Sequence, residues 1–224
     1  MRRFFEYQIW HLLAAIIMLL VAREYVQNTS SLNNEIMGFS ATFWFWVGLW
    51  LAIGHQALVM LVWRAQLHFQ WIESRFGPQG FTNYGRAFAL FSFLRLFTVL
   101  ILAFATPGSL TGNSTLLKGG GFLFIALVTW LMYSVMRYFG IDRALGGDHF
   151  EDKYRKLGLV KGGIFNYIRN GMYIVGLLVL WIPGLLLASE PALLQGLLGH
   201  AFIWAHYFFT EKPDMMRIYG DVAA

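Results

Sequence analysis

Cysteine is absent from the 224 residues, so no disulfide, thiolate metal site or cysteine nucleophile can be built from this chain. Charge is scarce as well: 13% of the residues are Asp, Glu, Lys or Arg, about half the share (~25%) of an ordinary soluble domain, while 58% are hydrophobic. So few charges cannot cover a globular surface, and a mean hydropathy of +0.54 points to lipid as the solvent. Also missing are a Gly-x-Gly-x-x-Gly turn, a Walker loop, a His-Glu-x-x-His pair and a Ser-centred elbow, which excludes the soluble nucleotide-binding and hydrolase classes that use them. No metal site is expected.

What the chain does have is a series of apolar runs. Those near residues 5–22, 39–63, 87–107, 121–139, 172–188 and 191–209 are candidates to cross about 30 Å of hydrocarbon. The expected fold is therefore an all-α, polytopic integral membrane helical bundle of about six transmembrane helices. Its last two spans form a tight C-terminal hairpin, because Pro183-Gly184 and Glu190-Pro191 interrupt the run between them. Arg2 and Arg3 before Ile9–Ala22 resemble the start of a secretory leader, but Arg23-Glu24-Tyr25 stands where small cleavage residues would be, so a retained first helix is expected. Gly119-Gly120-Gly121 reads as a flexible turn, and Ile141–Asn170 as a connection holding a short amphipathic surface helix. The chain is expected to form one membrane domain over 1–224, with N-terminal helices over 1–120 and a cofactor-binding core over 121–224.

The formal charge of +5 sits between the apolar runs rather than along one face, which fits anionic lipid headgroups and not nucleic acid. All but Arg23, Lys118 and Arg95 of the 17 lysines and arginines fall on one side of the expected topology. By the positive-inside rule both termini are cytoplasmic, in a bacterial inner membrane or the endoplasmic reticulum.

Polar groups survive on either side of the expected hairpin. Before it lies Lys161-Gly-Gly-Ile-Phe-Asn-Tyr-Ile-Arg-Asn-Gly-Met-Tyr173; after it lies Thr210-Glu-Lys-Pro-Asp-Met-Met-Arg-Ile-Tyr-Gly220. Arg169-Asn-Gly-Met-Tyr173 with Glu211-x-Pro213 and Ile218-Tyr219 resembles the membrane-embedded phospholipid methyltransferase and isoprenylcysteine carboxyl methyltransferase superfamily, nearest to the phosphatidylethanolamine N-methyltransferases. The resemblance covers roughly 138–220, with Tyr138-Phe-Gly-Ile141 as a weaker match. It implies S-adenosylmethionine as cofactor, approached by Gly163, Phe165, Arg169, Asn170, Gly171, Met172 and Tyr173 from one side and by Glu211 and Pro213 from the other. The family's His-Pro pair is Asn170-Gly171 here, and the second glutamate of its tail pair is Lys212.

Residue chemistry agrees with that implication independently. A sulfonium and an ammonium beside a carboxylate call for an acidic group, a basic group and aromatic surface, which Glu211, Arg169 and Tyr173 supply. Glu211 and His206 are the candidates for accepting the proton of an amine acceptor. Arg95, a charge inside the third span, is a candidate for a substrate phosphate. The expected partner is a membrane lipid, with the amine of phosphatidylethanolamine or its methylated derivatives leading. An isoprenylcysteine-type carboxylate or small thiol is the alternative acceptor, and a small membrane transporter or scaffold is the alternative class.

Overall fold

The computed structural model describes residues 3–158 and 160–220; Arg2 of the charge argument lies outside them. Four helices are long and apolar enough to cross a membrane. They are α1 (Gln8–Asn28), α2 (Ala41–Phe69), α4 (Gln79–Ala105) and α5 (Ser114–Ser134), the last continued by a π turn to Phe139. Long apolar runs set their lengths and polar caps set their starts. Ser40 accepts from the Phe43 amide at 3.1 Å to begin α2, and Asn113 accepts from the Thr115 and Leu116 amides to begin α5. Gln70, in the left-handed region at φ 51°, breaks α2 from the short α3 (Trp71–Phe76). A two-residue hairpin, β1 (Glu35–Ile36) with β2 (Phe39–Ser40), links α1 to α2.

The fifth and sixth expected spans are shorter than the other four. The fifth is assembled from α8 (Gly171–Ile174), a 3-10 stretch (Gly176–Leu180) and α9 (Ile182–Leu187). The sixth is α10 (Glu190–His206), whose 17 residues rise roughly 26 Å. Pro183 and Gly184, together with the 3-10 stretch, explain why the fifth is not one helix. The two segments pack side by side: a Cβ on Gly196 would stand 2.8 Å from the Leu180 carbonyl, and one on Gly184 2.7 Å from the Leu193 side chain. A multi-pass all-α membrane bundle is thus observed, with four helices of spanning length among the described residues rather than six.

Two expectations are corrected. Gly119–Gly121 is not a turn but the second turn of α5, where a Cβ on Gly121 would meet Leu186 at 2.6 Å. The residues act there by close helix approach, because the Asn113 cap starts the helix before them. Instead of carrying a surface amphipathic helix, the connection after α5 folds inward as short pieces: α6 (Ile141–Ala144), a 3-10 turn (Gly147–His149), α7 (Asp152–Arg155) and a second 3-10 turn (Gly163–Asn166). Arg143, Asp148 and His149 are buried in it.

α10 is the central element. Its face carrying Ala192, Leu198 and Phe202 packs with Met18 and Ala22 of α1, Phe45 and Leu49 of α2 and Val99 and Leu102 of α4. Outward residues such as Ile17, Trp50, Phe93, Phe104 and Phe122 are large, apolar and exposed, as a lipid-facing surface requires. Beyond α10, a π turn (Tyr207–Glu211) leads into α11 (Lys212–Tyr219), an amphipathic helix. The chain start, the C-terminal end of α2, the 140–158 connection and α11 all gather at one end of the bundle. Arg64 binds the Phe4 and Glu6 carbonyls, Trp63 donates to the Leu145 carbonyl, and Arg143 donates to the Tyr219 hydroxyl. The opposite end is closed by Asn34 on the Ala105 carbonyl and Ser109 on the Glu190 amide.

Candidate functional site

At the end where the basic loops meet, the two segments singled out by sequence come together. The Tyr173 hydroxyl donates to the Glu211 carboxylate, and the Asn170 amide donates to the Tyr207 hydroxyl at 3.4 Å. Tyr173 is held from behind: Trp181 Nε1 donates to His200 Nδ1 at 3.1 Å, which leaves the proton of that imidazole on Nε2 to be given to the Tyr173 carbonyl at 2.8 Å. Around this point the rings of Tyr173, Trp204 and Tyr207 lie within 4.9–5.6 Å of one another, forming an aromatic wall. Pro213 occupies the first turn of α11, where a missing N–H costs nothing.

The remaining expected donor-side residues are placed by the end of α5. Gly163 has φ +55° and a virtual Cβ 2.3 Å from Ser134 Oγ, so only glycine fits. Ser134 Oγ in turn accepts the Ile164 amide at 3.0 Å. Phe165 packs its ring 5.2 Å from Phe139, and Met172 packs against Leu131, Val135 and Ile164. Gly171 is buried among Phe165, Ile164 and Leu131. Arg169 is exposed and makes no hydrogen bond or ion pair among the described residues.

Glu211 is the electrostatic centre. Burial, with the Asp148 and Asp214 carboxylates nearby, pushes its carboxyl up to about 8. Asp214 is itself fully buried. Its Oδ2 accepts from Arg64 Nε at 3.1 Å and its Oδ1 accepts from Arg217 Nη1 at 2.6 Å; burial raises it to about 6 against the lowering effect of Arg64. Arg217 also pairs with Glu6, and Arg143 Nε stands 3.4 Å from Asp148 Oδ1. Sequence reading did not find Arg64, Asp148, His149 or Asp214. A visible signal was the run Gly146-Gly147-Asp148-His149, paired glycines followed by two titratable groups.

His206 points elsewhere than Glu211's aromatic wall. It is buried between His11, at 5.5 Å between rings, and Trp63, at 5.7 Å, and neither of its nitrogens has a partner. Arg95 lies deeper. It is buried midway along α4, meets His55 Nδ1 at 3.4 Å, and abuts Gly199, which precedes Glu211 by roughly 18 Å of helix. It is therefore remote from the Tyr173–Glu211 contact.

An aromatic wall, a carboxyl held near neutrality and several buried polar atoms without partners suit a small cationic ligand: His149 Nε2 and both nitrogens of His206 are such atoms. These features define a multi-pass helical membrane protein with a buried polar cluster at one end. Residues 117–222 match the family described as Phospholipid methyltransferase. Three fungal proteins named phosphatidylethanolamine N-methyltransferase are similar to this chain. Those of Chaetomium globosum and Neurospora crassa are 31% identical over 101 and 100 residues, covering 45% of this chain and 10% of each relative. The Botryotinia fuckeliana protein is 31% identical over 96 residues, 43% of this chain and 10% of the relative. The matched region thus spans about a tenth of the length of these relatives. No solved structure matches.

Proposed function

We propose that the protein is an S-adenosylmethionine-dependent methyltransferase. Its acceptor is the amine of phosphatidylethanolamine or its methylated derivatives, at the membrane face where its basic loops gather, read as cytoplasmic. One observation carries this reading. Asn170 and Tyr173 meet Tyr207 and Glu211 at sequence separations of 37 and 38, inside the region similar to the fungal phosphatidylethanolamine N-methyltransferases.

When bound, the cofactor supplies a methyl group already activated on a sulfonium. The chain's part is then mainly placement. Glu211 offers a carboxylate to positive charge, and the Tyr173 hydroxyl fixes its direction. The faces of Tyr173, Trp204 and Tyr207 give a cation a quadrupolar wall. Arg169, unpaired at the rim among the described residues, offers its guanidinium to a carboxylate. Gly163, Phe165, Gly171 and Met172 shape the apolar floor against α5, and Pro213 sets the start of α11. A carboxyl with an affinity near 8 is also matched to taking the proton that a lipid ammonium must lose before attack.

The test has two arms. Detergent-purified protein titrated with S-adenosylhomocysteine should bind it saturably, and Glu211→Ala should weaken binding at least ~10-fold, the loss expected for a charge-assisted hydrogen bond. Labelled methyl donor with mixed lipids should then place label in the phosphatidylethanolamine-derived fraction. Absence of saturable binding in the wild type favours a transporter or scaffold, and label in esters or thiols removes the amine acceptor.

A further inference from the structure

Trp63, near the cytoplasmic-read end of α2, carries a second cluster that the donor-side residues do not use. His149 stacks on its ring at 4.3 Å and 20°, and His206 meets its edge at 5.7 Å. Two glycines seat His149 there. A Cβ on Gly146, at φ +86°, would enter the Trp63 ring at 2.4 Å, and one on Gly147 would strike Tyr154 and the Asp142 carbonyl. The protonation of His149 follows from its contacts. Its Nδ1 lies 3.3 Å from the Gly146 carbonyl, which can only accept, so Nδ1 carries the hydrogen and Nε2 presents a bare lone pair. That lone pair faces Asp214 Oδ2 at 3.9 Å and has no donor. His149 is 1% exposed. Burial, reinforced by Arg155 and Arg64, holds its imidazole neutral down to about 3.

An unpaired buried acceptor costs free energy, and His149 Nε2 is one; Asp214 Oδ2 beside it already takes the Arg64 Nε hydrogen but has a second lone pair to offer. The donor that best suits a neutral imidazole beside a carboxylate is a cation with several N–H groups. We propose that His149 Nε2 and Asp214 Oδ2 form the docking point for the N–H-bearing ammonium of the acceptor lipid's head group. This inference rests on the methyltransferase reading, and it adds how the acceptor is recognised. Asp214 is close enough to Glu211 for its charge to help raise that carboxyl's proton affinity. It also implies a rule of selection. Each methyl group added to nitrogen removes one N–H, so a primary ammonium is held best and a quaternary one, with no N–H, is released.

His149→Phe keeps the stack on Trp63 and removes the acceptor; His149→Gln restores an acceptor at nearly the same reach. The Phe variant should raise KM for phosphatidylethanolamine about 10- to 100-fold, the range for a hydrogen bond to a charged group, with a smaller rise for the dimethyl lipid. Its affinity for S-adenosylhomocysteine should stay within about twofold, and the Gln variant should recover most of the KM. An unchanged KM in the Phe variant overturns the docking point. So does a loss of S-adenosylhomocysteine affinity equal to the loss in KM, which would assign the site to the donor's own ammonium. A Phe variant that does not fold leaves the Gln variant to decide, because Gln with the KM of wild type and an unaltered preference among the three amine lipids supports the site, and Gln with lost preference overturns it. Failure of the wild type to bind S-adenosylhomocysteine sinks the methyltransferase reading itself, a separate outcome from an active wild type indifferent to His149.

Discussion

Among the described residues the molecule buries three arginines, and two of them, Arg64 and Arg95, stand at opposite extremes. Arg64, at the polar end, is wholly enclosed yet completely served: Asp214 takes its Nε, the Phe4, Glu6 and Phe209 carbonyls take its terminal nitrogens, and four parts of the chain are tied to one guanidinium. Arg95, in the middle of the apolar bundle, has His55 as its one side-chain partner among the described residues. A charge that is fully hydrogen-bonded organises its surroundings, whereas one that is poorly paired only taxes them. The polar end is consequently where the fold has been specified by particular contacts. The apolar middle is specified by shape, through Gly48, Gly196 and Gly199 at the helix approaches.

The largest effect expected from this contrast is at Arg64. Replacing it with Met leaves Asp214 buried with Arg217 and His149 as its remaining neighbours, takes the side-chain donor from the Phe4 carbonyl, and leaves the Glu6 and Phe209 carbonyls with Gln8 Nε2 alone. Breaking a buried pair in this way costs about 3–5 kcal/mol. Arg64→Met should therefore yield little monodisperse protein in detergent, with a strongly lowered melting temperature in what remains. Melting close to wild type would show that the N-terminal segment and α11 do not depend on this hub, and the comparison would fail at its stronger side.

Glu211 gives a smaller effect with a definite sign. Its carboxyl sits at about 8 in the fold against 4.5 when free, so the folded protein holds this proton more tightly than the unfolded chain does. The stability it contributes is complete below the free value and is lost as pH rises through 8. A bound cation reverses the preference, because it favours the carboxylate. Donor binding at pH 7 should then release close to one proton, and affinity should climb by up to tenfold per pH unit until it levels above 8. Calorimetric titration in buffers of different ionisation enthalpy measures the release directly. Heats independent of the buffer would detach Glu211 from the donor.

How much of this could be read in advance follows the same division. The runs behind α1, α2, α4 and α5 are continuous and long, so hydropathy alone locates them. The segment from Gly171 to Leu187 defeats that logic: its composition is as apolar as a span, but Gly176, Pro183 and Gly184 favour short turns over one helix. At the polar end, Asn170, Tyr173 and Glu211 were legible because they fall on motifs flanking an apolar excursion, and the chain does bring them together. Arg64, His149 and Asp214 were not, since 150 residues separate Arg64 from Asp214 and no local pattern records which distant charge a residue will meet. His149 falls in the Ile141–Asn170 connection, whose mixed charges read as a surface helix. Only the seating of Gly146 against Trp63 turns that loop inward.

The smallest effect should come from the weaker arginine. Arg95 stands against Gly199 and beside Gly48, Ala52, Val99, Leu180 and Gln195, in a pocket with little room to spare. Methionine matches much of its length without its charge, and its thioether can follow an irregular wall. What is lost is one contact to the His55 imidazole at 3.4 Å; what is relieved is the cost of keeping a guanidinium in the apolar middle of the bundle. These nearly cancel, so Arg95→Met should move the unfolding free energy by no more than about 1 kcal/mol in either direction. Because Arg95 lies roughly 18 Å of helix from Glu211, affinity for S-adenosylhomocysteine should not change. A collapse as severe as that of Arg64→Met would mean that Arg95 is bound to something as firmly as Arg64 is, and the two arginines would no longer differ in kind.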